Sequence, residues 1–199
     1  MVRFARFASV ALMMLGLAVS PAHADGPEDL VKKLASDVTN AVRSDPDLQN
    51  PDSVKLSDLF TRQVAPRFDF DKITQQAMGK NWVKASGDEK RQIVQQFSRL
   101  LIRTYSKAMA NLKDLNVEVK TTKVNTAGSD VTVRTQMTGR SQPVAIDYSL
   151  SNASGGWRVY DVEVEGVSLI AAYRDEFNGL VSSAGVDGLI AALQKKNGS

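Results

Sequence analysis

The sequence has no cysteine, and among its 199 residues there is one histidine, His23. The missing cysteines exclude disulfides, thiolate metal sites, cysteine nucleophiles and a lipidated cysteine behind a leader. An excess of charge of one sign is missing too: 25 Lys+Arg stand against 22 Asp+Glu, a formal +3. No Lys/Arg run is longer than two, so the basic footprint of a nucleic-acid binder is missing as well. The longest apolar run covers only residues 7–19, well short of the about 20 residues needed to cross a bilayer. With 43% apolar residues the composition is that of an ordinary globular chain, neither disordered nor multi-spanning.

That short apolar run has its own meaning. Arg3 and Arg6 precede it, and Pro21 and Ala22-His23-Ala24 follow it. This is the layout of a secretory signal peptide, with cleavage expected after Ala24. Removal of residues 1–24 takes two arginines and the only histidine, leaving 23 basic against 22 acidic residues, a net +1. The exported chain then has neither His nor Cys, which excludes Ser-His-Asp and Cys-His catalysis, structural zinc and histidine-ligated haem. We expect a periplasmic product, residues 25–199, folded as a single domain whose stability rests on its core.

Periodicity organises that domain. Leu30, Val31, Leu34, Val38, Ala41 and Val42 have helical spacing, and residues 44–51 read as a loop. A short helix is expected over 53–64. Asp69 is placed to cap a helix that Gly79 ends. Ser86-Gly87-Asp88-Glu89 is a capping box that opens the longest helix, to about Lys113. From Leu115 the period falls to two, and four strands with short turns predict an antiparallel meander. In the fourth strand Trp157 and Val159 are expected on one face and Tyr160, Val162 and Val164 on the other, so that both faces are covered. Helical spacing returns at Leu169; Gly185 ends that helix and Asp187 caps a last one. Helices over 28–113, a sheet over 115–165 and helices over 168–196 make an α+β fold.

Within this frame Pro66-x-Phe68-Asp69-Phe70, Ala77-Met78-Gly79-x-x-Trp82, Leu100-Leu101-x-x-Thr104-Tyr105 and Pro143-Val144-x-Ile146-Asp147-Tyr148 resemble the MlaC, or toluene-tolerance, family. So do Gly156-Trp157-Arg158-Val159-Tyr160-Asp161-Val162-x-Val164-Glu165-Gly166-Val167-Ser168-Leu169, Tyr173-Arg174 and Gly185-Val186-Asp187-Gly188-Leu189-Ile190. The resemblance spans nearly the whole chain after residue 24, and its tryptophan-to-leucine run is the most specific part. Met78 stands where the family pattern suggests Leu, and Ala171-Ala172 where a polar residue is common.

The resemblance implies a periplasmic phospholipid carrier that maintains outer-membrane lipid asymmetry. Its partners would be an inner-membrane ABC transporter complex, through its substrate-binding-domain subunit, and an outer-membrane lipoprotein–porin complex. It also implies a twisted four-stranded sheet wrapped by helices, of nuclear-transport-factor-like or cystatin-like type, around an internal lipid cavity. Two acyl chains carry about 30 methylenes at ~0.8 kcal/mol each, so the cargo needs an apolar shelter. We expect the lining to come from Phe97, Leu101, Tyr105, Val133, Ile146, Tyr148, Val162, Val164, Val167, Leu169, Tyr173 and Phe177, with Val167 and Leu169 at the rim. No cofactor or metal is expected, and the protein is read as a monomer and not an enzyme.

The alternative is a small enzyme of the nuclear-transport-factor-like fold using Asp161 as general base. Asp161 is expected to share a face with Trp157 and Val159, and its plainer role is a structural hydrogen bond. An adaptor with a solid core is the third reading. Asp69 and Asp71 are read as capping residues, Glu163 and Glu165 as solvent-facing, and Arg174 as either a surface residue or a head-group contact. Asn152-Ala153-Ser154 matches a glycosylation sequon.

Overall fold

The computed structural model describes residues 26–124, 129–139, 142–153 and 156–198. The expected signal peptide, its cleavage site, the centres of three predicted turns and the end of the sequon lie outside the described residues.

Helix α1 (Pro27–Ser44) begins with proline, whose fixed φ suits a first helical position, and with Glu28 and Asp29 at the positive end of the helix dipole. A 3-10 turn (Pro46–Gln49) leads to α2 (Val54–Leu59), which continues as a π turn (Phe60–Val64) and a 3-10 turn (Ala65–Arg67). The predicted helix at 53–64 is therefore present, with its second half wound wider. Asp69 caps α3 (Phe70–Met78) as expected, accepting from the Lys72 N–H at 2.9 Å. Gly79, at φ 52°, ends it. A 3-10 turn (Gly79–Lys84) precedes α4 (Gly87–Met109), where the capping box is fully formed: Glu89 N–H donates to Ser86 Oγ and Ser86 N–H to Glu89 Oε2. Helix α4 stops four residues before the predicted end.

The sheet runs β1 (Asn116–Val124), β2 (Asp130–Thr138), β3 (Val144–Ala153), β4 (Gly156–Val164) and β5 (Val167–Ser168), antiparallel throughout and in sequence order. The expected meander is correct with one strand added. Glu165 and Gly166, both with positive φ (49° and 83°), form the two-residue hairpin turn into that fifth strand, which ends where Ser168 caps the next helix.

Two bulges decide which way the side chains point. β1 shifts register between Val119 and Thr121, and the β3–β4 pairing shifts at Ser149/Leu150. On β4 the shift places Val159 opposite Leu150 and Val162 opposite Tyr148. Because directly paired residues share a face, Trp157, Val159, Val162 and Val164 all lie on one side. The expectation of a fourth strand apolar on both faces is thereby corrected: strict alternation fails where a bulge inserts an extra residue. One face now carries Val117, Val119, Val131, Val133, Met137, Val144, Ile146, Tyr148 and Leu150 with the β4 residues. The other carries Arg134, Asp147, Ser149, Asp161 and Glu163.

The core has three centres. Leu30 and Val31 of α1 pack on Val131, Val133, Leu150 and Val159. Farther along α1, Val38 and Val42 join Leu56, Phe60 and Val64. The third centre joins α3 and α4 to α5 (Leu169–Asn197), around Phe97. Phe68 touches all three centres and forms a parallel bridge to Val159, and the next residue, Asp69, donates its N–H to Val159 O at 2.8 Å. The expected break at Gly185 is there, at φ 71° and ψ −173°, and both halves of α5 return to the Phe97 cluster.

Truncating a fully buried aromatic removes its transfer energy and leaves a void. Phe97→Ala should cost about 3–5 kcal/mol in urea unfolding. Truncation of the exposed Val83 should stay within about 0.5 kcal/mol.

Candidate functional site

The apolar face of the sheet forms cross-strand rows that are buried at one end of the strands and more accessible towards the other. In the row Val131–Leu150–Val159 exposure is 4% or less. The next row contains Val133, fully buried, with Tyr148 and Val162 half-buried. One step further, Val119, Ile146, Val164 and Val167 lie around a buried Thr135. Here Val164 is 44% and Val167 65% exposed. A last row, Val117–Met137–Val144, is half-buried throughout. Helix α1 thus seals one end of the face and leaves the other as an apolar surface. Contiguous exposed apolar area of this kind marks a ligand or interaction surface.

The twelve predicted lining residues divide into two groups. Val133, Ile146, Tyr148, Val162, Val164 and Val167 all lie on this one sheet face, and the bulge in β4 brings Val162 and Val164 onto it. Phe97, Leu101, Leu169, Tyr173 and Phe177 instead belong to the helical cluster. There Phe97 meets Tyr173 and Phe177 edge-on, with ring centroids 4.8 and 4.9 Å apart. Phe97, Leu101 and Phe177 are buried within that cluster. Tyr105, 40% exposed, stands beside Tyr173 at the edge of the cluster. The groups meet where β5 passes into α5, at Val167 and Leu169.

On the sheet side, the expected lining is a partly accessible apolar face, from buried Val133 to exposed Val164 and Val167. Concavities of about 370 Å³ (between α1 and the π turn) and 250 Å³ (between α2 and α4) are lined by none of the twelve residues. Val117, Val119, Met137 and Val144 belong to the open face and were not among the expected lining. Their alternation in β1 to β3 was the available signal.

Asp161 is half-buried, on the face opposite Val159 and Val162, which corrects its expected side. Its oxygens accept from Ser168 Oγ (2.6 Å), Val162 N–H (2.9 Å) and Ile170 N–H (3.2 Å). With both oxygens engaged it anchors the start of α5 to β4, and a general base needs a carboxylate open to its substrate. Asp147 pairs with Arg134 at 3.0 Å, while Glu163 and Glu165 face solvent. Arg174 donates through Nε to Gln76 O at 3.2 Å and ties α5 to α3. Among the described residues no cluster of three His, Asp or Glu is placed to hold a metal ion, and no helix is long and apolar enough to cross a membrane.

Tyr148 is held neutral by its apolar surroundings, which push its phenol up to about 12. Tyr105 is also raised to about 12, by burial first and then by the neighbouring Tyr173.

Comparison with known proteins places this geometry in context. The profile of a family described as MlaC protein matches residues 32–195. The toluene tolerance protein ttg2D of Pseudomonas putida is 24% identical over 166 residues, covering 82% of this chain and 77% of that one. The intermembrane phospholipid transport system binding protein MlaC of Haemophilus influenzae is 18% identical over 173 residues, covering 85% and 81%. A solved phospholipid-binding protein from Ralstonia solanacearum, in complex with a phospholipid, superposes with a TM-score of 0.77 at 36% identity, covering 84% of this chain and 94% of that one.

A phenol that ionises later in the folded protein than in the unfolded chain stabilises the fold below pH 10, and that contribution is lost as pH rises towards about 12. Urea unfolding across this interval should therefore show stability falling with pH, and Tyr148→Phe should remove part of the fall. An unchanged slope in the variant would contradict the desolvated position of this ring.

Proposed function

The chain belongs to the MlaC family, and on that premise we propose that it is a periplasmic phospholipid carrier whose cargo lies on the uncovered end of the sheet's apolar face. The observation that carries the reading is the burial gradient along that face. Residues that a self-sufficient fold would bury, Ile146, Val162, Val164 and Val167 among them, are left accessible in a block. The phospholipid bound by the 36%-identical Ralstonia relative supports the identity of the missing cover. Hydrocarbon chains are a suitable cover because they gain ~0.8 kcal/mol per methylene withdrawn from water.

The site asks for no catalytic group. Its walls are aliphatic or aromatic, the one buried hydroxyl of this region, Thr135, is already bonded to Ile146 O at 2.7 Å, and its phenol, Tyr148, is held neutral. That profile suits binding and release without chemistry. In this reading the carrier exchanges lipid with an inner-membrane ABC transporter complex and an outer-membrane lipoprotein–porin complex. The intermembrane transport system named for the Haemophilus relative supports such partners. Export by the signal peptide of residues 1–24 puts the protein in the compartment between them.

Native mass spectrometry of freshly purified protein should show one phospholipid mass released on activation. Val164→Glu and Val167→Glu replace exposed residues and should fold normally, yet lose the bound lipid, because a carboxylate on this surface opposes acyl burial. Lipid-free wild-type protein from a membrane-rich host, or full occupancy in both variants, would overturn the assignment.

A further inference from the structure

A second groove lies away from the apolar end of the sheet. Leu30, Leu34 and Val38, one turn apart along α1, form its floor with Pro66, and Arg62, Gln63 and Arg67 form the opposite wall. Its volume, about 370 Å³, is within the range of small-ligand sites. On the α1 side the charges are already matched, since Lys33 pairs with Asp37 at 3.4 Å. Arg62 and Arg67 are exposed, and among the described residues neither has an ion-pair or hydrogen-bond partner. Counting Lys33, Arg62 and Arg67 against Asp37, the groove carries a net +2.

The backbone holds this wall in an uncommon conformation. From Phe60 to Val64 the chain is a π turn, closed by the Ala65 N–H donating to Phe60 O five residues back. The cause is local: Pro66 has no N–H to give to the Arg62 carbonyl, so the regular α ladder cannot continue there. Phe60 and Val64 are buried and fix the turn from below, which leaves Arg62 and Gln63 on its outer side. Single π turns of this kind are frequent at functional sites. Phe68, next to Arg67, is anchored in all three core centres, so the wall is rigidly seated.

We propose that this groove binds a compact oxyanion carrying a short apolar group, a phosphate ester being the type, with Arg62 and Arg67 on the anion and the α1 leucines under the hydrocarbon. Guanidinium groups match phosphate geometry with paired N–H donors, and such charge-assisted bonds are the strong class. An apolar floor beside them selects an ester over the free ion. The ester is supplied either by a free metabolite or by the head group of a lipid, and the site is independent of the acyl surface, whose open rows lie at the other end of the sheet from Leu30.

The test uses the purified full-length exported chain with three probes: inorganic phosphate, hexyl phosphate and a water-soluble short-chain phosphatidylglycerol. Amide NMR titration should give saturable shifts at Leu34, Val38 and Gln63 with hexyl phosphate, and weaker ones with inorganic phosphate. Arg62→Gln with Arg67→Gln should reduce affinity about tenfold or more, the loss expected for charge-assisted bonds, without lowering co-purified phospholipid. Val164→Glu should do the reverse, keeping the groove and losing the cargo, so failure of one site is distinguishable from failure of the other. Saturation by the short-chain lipid and not by hexyl phosphate assigns the source to head groups; saturation by hexyl phosphate alone assigns it to free esters. Linear, non-saturating shifts with all probes, equal response to inorganic and hexyl phosphate, or an unaltered double variant would each overturn the proposal.

Discussion

An antiparallel sheet with one apolar face must have that face covered, and most of this architecture follows from how incompletely the chain meets the demand. Two bulges collect the bulky residues of four strands onto one side. Helix α1 is long enough to seal the Val131–Leu150–Val159 end and then leaves the sheet for α2 and the π turn. The remaining helices turn their apolar surfaces to each other around Phe97. What is left is an aliphatic surface that the described residues cover only in part, next to the fully buried rows.

Few contacts join the sheet to the helical cluster, and they are of specific kinds. Phe68 and Asp69 bond to the outer edge of β4, and β5 covers the other end of the same edge. Asp161 fastens the first turn of α5 through Ser168 and Ile170. Lys72 reaches from α3 to Asp130 at 3.0 Å and lies over the Tyr160 ring. Polar, directional attachments at this edge thus stand beside the apolar contacts of Phe68 and Tyr160 with the helical cluster, and together they fix the relative position of sheet and helices.

Much of this was legible in the sequence. Helical and strand periods located every major element, and the caps at Asp69 and Ser86 were readable because their chemistry is local. The six sheet residues expected to meet lipid do share a face. The bulges were not legible: an extra residue at Tyr160 or Lys120 changes the facing of everything after it while leaving composition and spacing intact. That is why strict alternation puts Asp161 on the wrong side and makes β4 apolar on both. The helix stripe of Phe97 and Phe177 states that it is buried but not whether by protein or by ligand. The fifth strand followed from a two-residue turn at Glu165 and Gly166, too short for periodicity to register.

The bend at Gly185 has a kinetic side. A backbone pair of φ 71° and ψ −173° is open essentially to glycine, and it folds a 29-residue element back so that Leu189, Ile190 and Leu193 rest on the same cluster as Ile170 and Phe177. The cluster that begins at Ile73 therefore stays unfinished until the final dozen or so residues have been synthesised. Contacts so distant along the chain form late and slowly. Folding of the Phe97 cluster is thereby tied to the arrival of the second half of α5.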